Sequence, residues 1–192
     1  YEWDTKPTER RSNDGRPHRL VASGIFEFPF GKGKALLANI GRLPNMLIGG
    51  WQIGVTYELQ PGPMVDWGNL FYYGNDVNNV ANVNRTFETW FNTADFERTA
   101  TRGPANFHRR VFPTRVEGLR RDMTNQWNAN MAKNVVITER VKLQLRLDAL
   151  NVMNRSQMDS PNTDPFSTNF GRITAQTSAT NRWIQVQMRL TF

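Results

Sequence analysis

The sequence predicts an all-β fold, namely part of an antiparallel transmembrane β-barrel with about five or six strands and long extracellular loops. Three observations predict it: segments in which apolar and polar residues alternate, the lack of a long apolar run, and connections of very unequal length. The mean hydropathy of −0.59 resembles that of a soluble protein. In a barrel strand, however, only every second side chain faces lipid, so such strands raise the mean hydropathy of a chain only slightly. No run approaches the ~18 apolar residues of a spanning helix.

Five segments alternate with the period of two that gives a strand one apolar face. In the last of them, 183–192, every even-numbered residue is apolar and every odd-numbered residue after Trp183 is polar. The predicted strands are 20–30, 51–60, 126–138, 141–151 and 183–192. Each has roughly the 9 to 11 residues that a tilted transmembrane strand needs. We interpret Tyr1–Trp3 as the remnant of a sixth strand. Lys133 interrupts the apolar side of the third, where it either snorkels or marks a bulge.

Connections alternate between short and long. A turn at Thr138–Arg140 holds three residues if Ile137 pairs with Val141, or five if it pairs with Leu143. By contrast, 61–125 and 155–181 are far longer than ordinary loops. Short periplasmic turns and long outer loops are typical of outer-membrane barrels. Segment 31–50 is then periplasmic, and its helically spaced leucines predict a short amphipathic segment at the membrane interface, with Pro44 as a break.

Strand alternation also sorts side chains between lipid and lumen. Three tryptophans near strand ends are predicted to lie in the interfacial girdles: Trp51, Trp127 and Trp183. Charged residues of both signs are predicted to face the lumen: Glu27, Glu58, Lys142, Arg146, Asp148 and Arg189. Such charges would hold a plug or line a wet channel.

Aromatic residues in the long loop suggest a ligand site, since rings stack on sugars or peptides at a receptor mouth. The candidates are Trp67, Phe71, Tyr72, Tyr73, Trp90 and Phe91. The alternative, that these rings form a small core which holds the loop in one shape, is the favoured interpretation.

Arginines cluster in loop 98–121 and account for much of the net charge of +7. Planar guanidinium groups suit lipid phosphates, for which the candidates are Arg109, Arg110, Arg120 and Arg121. Solvated loop charge is the competing interpretation. Nucleic acid is not an expected partner, because no groove-reading motif accompanies the charge.

No enzyme activity is expected. His18 and His108 have no acidic residue near them in sequence, and Gly31–Lys34 lacks the spacing of a phosphate loop. The Asn/Asp-rich stretches 76–84 and 159–164 offer oxygen atoms to calcium, but they fit loops that satisfy their own backbone better. The chain has no cysteine. We therefore expect no metal and no cofactor.

Motifs along nearly the whole chain resemble the C-terminal part of TonB-dependent outer-membrane receptors of the Oar-like type, which carry an N-terminal carboxypeptidase-regulatory-like domain. The resembling stretches are 16–23, 28–33, 49–52, 90–96, 102–104, 138–144, 150–154, 169–173 and 189–192. Loop 105–125 departs from the family pattern, which leaves its role open.

The resemblance implies a barrel of about 22 strands around a plug. Residues 1–192 would be the C-terminal part of that barrel domain, without the plug and the N-terminal strands. The implied partners are outer-membrane lipid, the remaining strands and plug of the parent chain, the TonB complex through the missing N-terminal part, and the assembly machinery, which would read Phe192.

The expected function is therefore import of a bulky nutrient across the outer membrane. The alternative is a structural or interaction β-protein at the cell surface with no transport activity. A soluble β-sandwich binding module is disfavoured, because such folds show turn signals every ~8 to 12 residues.

Overall fold

The structure, a computed structural model, describes residue 12, residues 15–177 and residues 181–192. The predicted sixth-strand remnant Tyr1–Trp3 lies outside them. The described residues divide into two compact units. The sheet unit comprises 19–59, 125–156 and 181–192, and the loop unit comprises the described residues up to His18 together with 60–124 and 157–177.

Five antiparallel strands form one sheet in chain order, as the alternation predicts: β1 (Leu20–Glu27), β2 (Trp51–Gln60), β3 (Thr124–Val136), β4 (Lys142–Leu150) and β5 (Trp183–Thr191). β1 is shorter than the predicted 20–30. Its pairing ends with the Phe28 N–H, which donates to the Trp51 carbonyl at 3.0 Å, and Pro29 then offers no N–H to continue the ladder.

The turn between β3 and β4 holds three residues. Val136 pairs with Lys142, and the Ile137 N–H donates to the Val141 carbonyl at 3.0 Å. The five-residue alternative is therefore wrong. The Thr138 hydroxyl accepts from the Val141 N–H at 3.0 Å and closes the turn.

A short helix, α1 (Arg42–Ile48), lies in the connection between β1 and β2. The helix was predicted, but Pro44 does not break it. Pro44 occupies the first turn, where the missing N–H would have no partner in the helix and the fixed φ angle suits helical backbone. After α1, Gly50 has φ +74 and lies so close to the Asn134 carbonyl that a Cβ would meet its oxygen, so the return into β2 requires glycine.

The loop unit holds two 3-10 helices, η1 (Val77–Ala81) and η2 (Ala100–Arg102), and isolated bridges such as Tyr72 with Phe96. Irregular backbone of this length needs a core of its own, and it has one. Twelve buried residues form it: Val65, Trp67, Leu70, Val80, Trp90, Phe91, Phe96, Phe112, Val116, Leu119, Phe170 and Ile173. Among the described residues, no helix has the length and apolar composition that crossing a bilayer requires.

Candidate functional site

Strand register gives the sheet one continuous apolar face. Phe26 pairs with Ile53, Met131 pairs with Leu147, and Leu147 pairs with Val186, so one row of apolar side chains crosses the strands. These side chains are open: Phe26 is 57% exposed and Val186 is 74% exposed. An apolar surface of this extent is not left to water in a soluble monomer.

The opposite face is polar and charged. The same register places on it all six residues that alternation assigns to the lumen: Glu27, Glu58, Lys142, Arg146, Asp148 and Arg189. Arg146 forms an ion pair with Asp148 at 2.8 Å on the same strand. Glu58 pairs with Arg19 at 3.0 Å.

A depression of about 290 Å³ lies on this face near the β3–β4 turn. Lys142 and Arg189 are among the residues that line it, together with Asn134, Gln144 and Thr191. Two cations and no carboxylate line it among the described residues, so this end of the polar face is suited to an anionic or carboxylate-bearing group.

Two of the three predicted girdle tryptophans lie on the apolar face. Trp127 stacks on Tyr57 at 4.3 Å between ring centroids, and the ammonium group of Lys133 lies over the face of the Trp51 ring. The girdle prediction for Trp183 is wrong. It pairs with Leu150, one residue out of phase with the apolar pair Ala149 and Ile184, so alternation places it on the polar face. Counting back from Ile184 would have shown this in the sequence.

The aromatic residues of the loop unit are mainly core. Trp67 is 3% exposed and Phe91 is fully buried, with 4.7 Å between their ring centroids. Trp90 is 8% exposed, and its indole N–H donates to the Arg120 carbonyl at 2.8 Å. Burial removes these three from the predicted ligand-binding set, because their faces already pack against protein. The alternative interpretation, a core that shapes the loop, is confirmed for them.

The two long connections share this core, which sequence reasoning missed. Phe170, from 155–181, packs against Phe91 at 5.2 Å and against Phe96 at 5.2 Å. The Trp90 N–H also donates to the Gly171 carbonyl at 2.8 Å. Irregular segments lack a period, so no pattern in the sequence pairs one with the other.

Of the remaining aromatic candidates, Tyr72 is half-buried and joins the edge of the core, where burial raises the pKa of its phenol. Phe71 is also half-buried and meets the His108 ring edge-on at 5.3 Å. Tyr73 is 65% exposed. Ligand contact through Phe71, Tyr72 and Tyr73 stays a prediction.

The Tyr73 hydroxyl donates to the Glu97 carboxylate at 3.0 Å, and this bond raises the pKa of Tyr73. The Thr99 N–H donates to the same carboxylate at 2.8 Å, and that bond is the main reason why the pKa of Glu97 is lowered. Each group thus stabilises the other in the form that it has at neutral pH.

Replacing Glu97 with Gln should lower the pKa of Tyr73 towards its ordinary value, because the anionic acceptor that favours the neutral phenol is gone. The measurement is the ultraviolet difference titration of phenolate, with Tyr73→Phe identifying the signal. Glu88→Gln, which removes the partner of Arg172, serves as the control and should leave the titration unchanged. An unchanged Tyr73 titration in Glu97→Gln would contradict this geometry.

Arginines of loop 98–121 donate hydrogen bonds to backbone carbonyls, Arg98, Arg110 and Arg120 among them. One nitrogen of Arg110 donates to the carbonyls of Trp67, Gly68 and Phe112 at 3.0 to 3.3 Å. Arg120 donates to the Gly62 carbonyl at 3.2 Å. The guanidinium groups of these two arginines therefore cross-link the loop unit, while Arg110 also stays exposed, so solvated loop charge remains the competing interpretation. Lipid-phosphate contact by Arg109, Arg110, Arg120 and Arg121 stays a prediction.

The Asn/Asp-rich stretches bind their own backbone, as the sequence favours. Asp76 caps η1 by accepting from the Asn78 N–H at 2.8 Å, and Asp164 accepts from the Phe166 N–H at 3.0 Å. Among the described residues, no group of three or more His, Cys, Asp or Glu side chains is placed to hold a metal ion. Phe192 is 94% exposed beyond β5, and its role in assembly stays a prediction.

A meander whose strands have one apolar and one charged face, and which is linked by long folded loops, defines a membrane-embedded β-sheet protein of the barrel type. Residues 3–185 match the family model described as an outer membrane beta barrel domain. The chain belongs to this family, and its location is the outer membrane. Searches of curated proteins and of solved structures found no match.

Proposed function

We propose that this chain forms the closing portion of the barrel of a TonB-dependent outer-membrane transporter that imports a bulky nutrient. The observation that carries the proposal is the charged inner face of the sheet, opposite an apolar face in an outer-membrane barrel family. Charged side chains such as the ion-paired Arg146 and Asp148 suit a wall that faces a wet channel or a docked plug, because the interior of a large outer-membrane barrel is polar.

The two outer strands support a larger parent. Within the described residues, β1 pairs only with β2 and β5 only with β4. Single-chain bacterial barrels have even strand counts from eight upwards, so five strands require others to close the wall. The sequence motifs that resemble TonB-dependent receptors favour a large, plugged barrel as the source of those strands.

The direct test uses the natural full-length protein and the purified periplasmic domain of TonB from the same organism. We expect retention of TonB by the full-length protein and loss of retention when its N-terminal energy-coupling segment is deleted. Failure to retain TonB, or a parent chain without a plug, would favour the second hypothesis, a surface structural or interaction protein. The separately packed core of the loop unit is the observation that favours that hypothesis.

A second test uses the basic depression of the polar face. If a plug with carboxylates docks there, the double variant Lys142→Glu and Arg189→Glu of the full-length protein should release its plug at a lower urea concentration, because like charges then face each other. Channel conductance in a planar bilayer reports the release. Lys32→Glu, a charge reversal outside the sheet, is the matched control. Equal urea thresholds in all three proteins would rule out this docking.

A further inference from the structure

The apolar face of the sheet carries one lysine, Lys133, which pairs with Leu145 on β4 and contacts the Trp51 ring on β2. Lys133 is 5% exposed, and the pairing of β3 with β4 runs through it without a bulge, so the bulge interpretation is wrong and snorkelling stays a prediction. The ammonium group donates to the carbonyls of Leu47, at 2.8 Å, and of Gly49. It also lies 4.8 Å from the centroid of the Trp51 ring.

These carbonyls belong to the C-terminal end of α1, where unpaired oxygens and the helix dipole favour a cation. The Trp51 indole N–H donates to the Leu47 carbonyl as well, at 3.1 Å. At the other end of the helix, the Arg42 guanidinium donates to the Ile137 carbonyl at the β3–β4 turn. Hydrogen bonds therefore join one end of α1 to Lys133 on β3 and the other end to Ile137, the residue that follows β3.

The spacing of these two ties gives the direction of the helix. Ile137 and Lys133 are four residues apart, or ~13 Å along a strand, and the seven residues of α1 span ~10 Å. The helix thus runs beside β3 from the turn towards the middle of the sheet, on the side to which Lys133 points. With a strand tilt of about 45°, its C-terminal end is ~9 Å deeper than the turn.

The outer side of α1 is apolar. Leu43 is 75% exposed and Leu47, one turn later, is 77% exposed, while Ile48 is 42% exposed. These side chains continue the apolar face of the sheet, which faces lipid in an outer-membrane barrel. With the β3–β4 turn taken as the membrane surface, this depth falls in the range of about 5 to 10 Å to which interfacial helices bury their apolar side.

We propose that α1 is a membrane-interface anchor, which inserts Leu43, Leu47 and Ile48 among the acyl chains of the periplasmic leaflet, and that Lys133 is the residue that holds it there. The occupant of the apolar helix side is phospholipid rather than a second protein. The inference rests on the outer-membrane location and does not depend on TonB or transport.

The test is site-directed spin labelling of the natural full-length protein in phospholipid vesicles. The chain has no cysteine, so Leu47→Cys gives one label site within it. We expect high accessibility to oxygen and low accessibility to a water-soluble nickel chelate, as for Val186→Cys on the apolar face of the sheet. Asn39→Cys, exposed in the same connection before α1, is the matched control and should be accessible to the chelate.

Each other outcome overturns the proposal. Chelate accessibility at residue 47 equal to that at residue 39 would place α1 in water. Low accessibility to both reagents would mean that a second copy or another protein covers the helix. Leu43→Cys repeats the measurement one turn earlier, and the heat-modifiable gel mobility of each variant confirms that the barrel is folded.

Discussion

Replacing Phe91 with Ala should destabilise the loop unit by about 3 to 5 kcal/mol, the usual cost of deleting a buried aromatic ring. Phe91 is fully buried and has no side-chain polar atom, so the expected loss comes from packing alone. Its ring contacts Trp67 from one long connection and Phe170 from the other. The resulting cavity would therefore weaken the contact between two segments that no regular ladder joins.

Limited proteolysis with trypsin measures this effect, since Arg115, Arg120 and Arg121 are cleavage sites that are partly buried in the folded loop unit. We expect Phe91→Ala to be cut there at a protease concentration far below that needed for the parent protein. Phe107→Ala is the matched control: the same ring is lost from the same connection, but Phe107 is 92% exposed. Equal cleavage of the two variants would contradict the assignment of the aromatic residues to a core.

Replacing Leu147 with Arg should destabilise the folded protein in a bilayer by roughly 2 to 4 kcal/mol, because it places a guanidinium on the lipid face near mid-membrane. Alternation alone also allows Leu145 as the test position. The register shows that Leu145 lies opposite Lys133, where like-charge repulsion would add to the cost. Leu147 lies between Met131 and Val186, so the lipid cost is isolated there.

The natural full-length protein, folded reversibly into vesicles, allows the free energy of unfolding to be measured by chaotrope titration. Gln185→Arg is the matched control: residue 185 pairs with Asp148 on the polar face, and an added cation there meets a carboxylate and water. We expect that variant to stay close to the parent protein. Similar losses in both variants would show that the two faces of the sheet do not differ in environment.

The sequence by itself determined the sheet. Five strands and the faces of Leu147 and Arg146 follow from a period of two, because each strand residue reports its face directly, whereas the period alone allows a turn of three or five residues. The predictions that failed here were local. Trp183 was placed one residue out of phase, and Pro44 was given the wrong effect on its helix.

Only the tertiary structure decided what the loops and the exceptional residues do. The burial of Trp67, the pairing of the two long connections through Phe170 and the backbone cross-links of Arg110 all depend on partners distant in sequence. Lys133 is the sharpest case, because its side chain breaks the pattern of its strand and its partners lie 84 and 86 residues away, at the end of α1. Periodicity reports the environment that a residue should have, whereas contacts between irregular segments are fixed only when the chain packs.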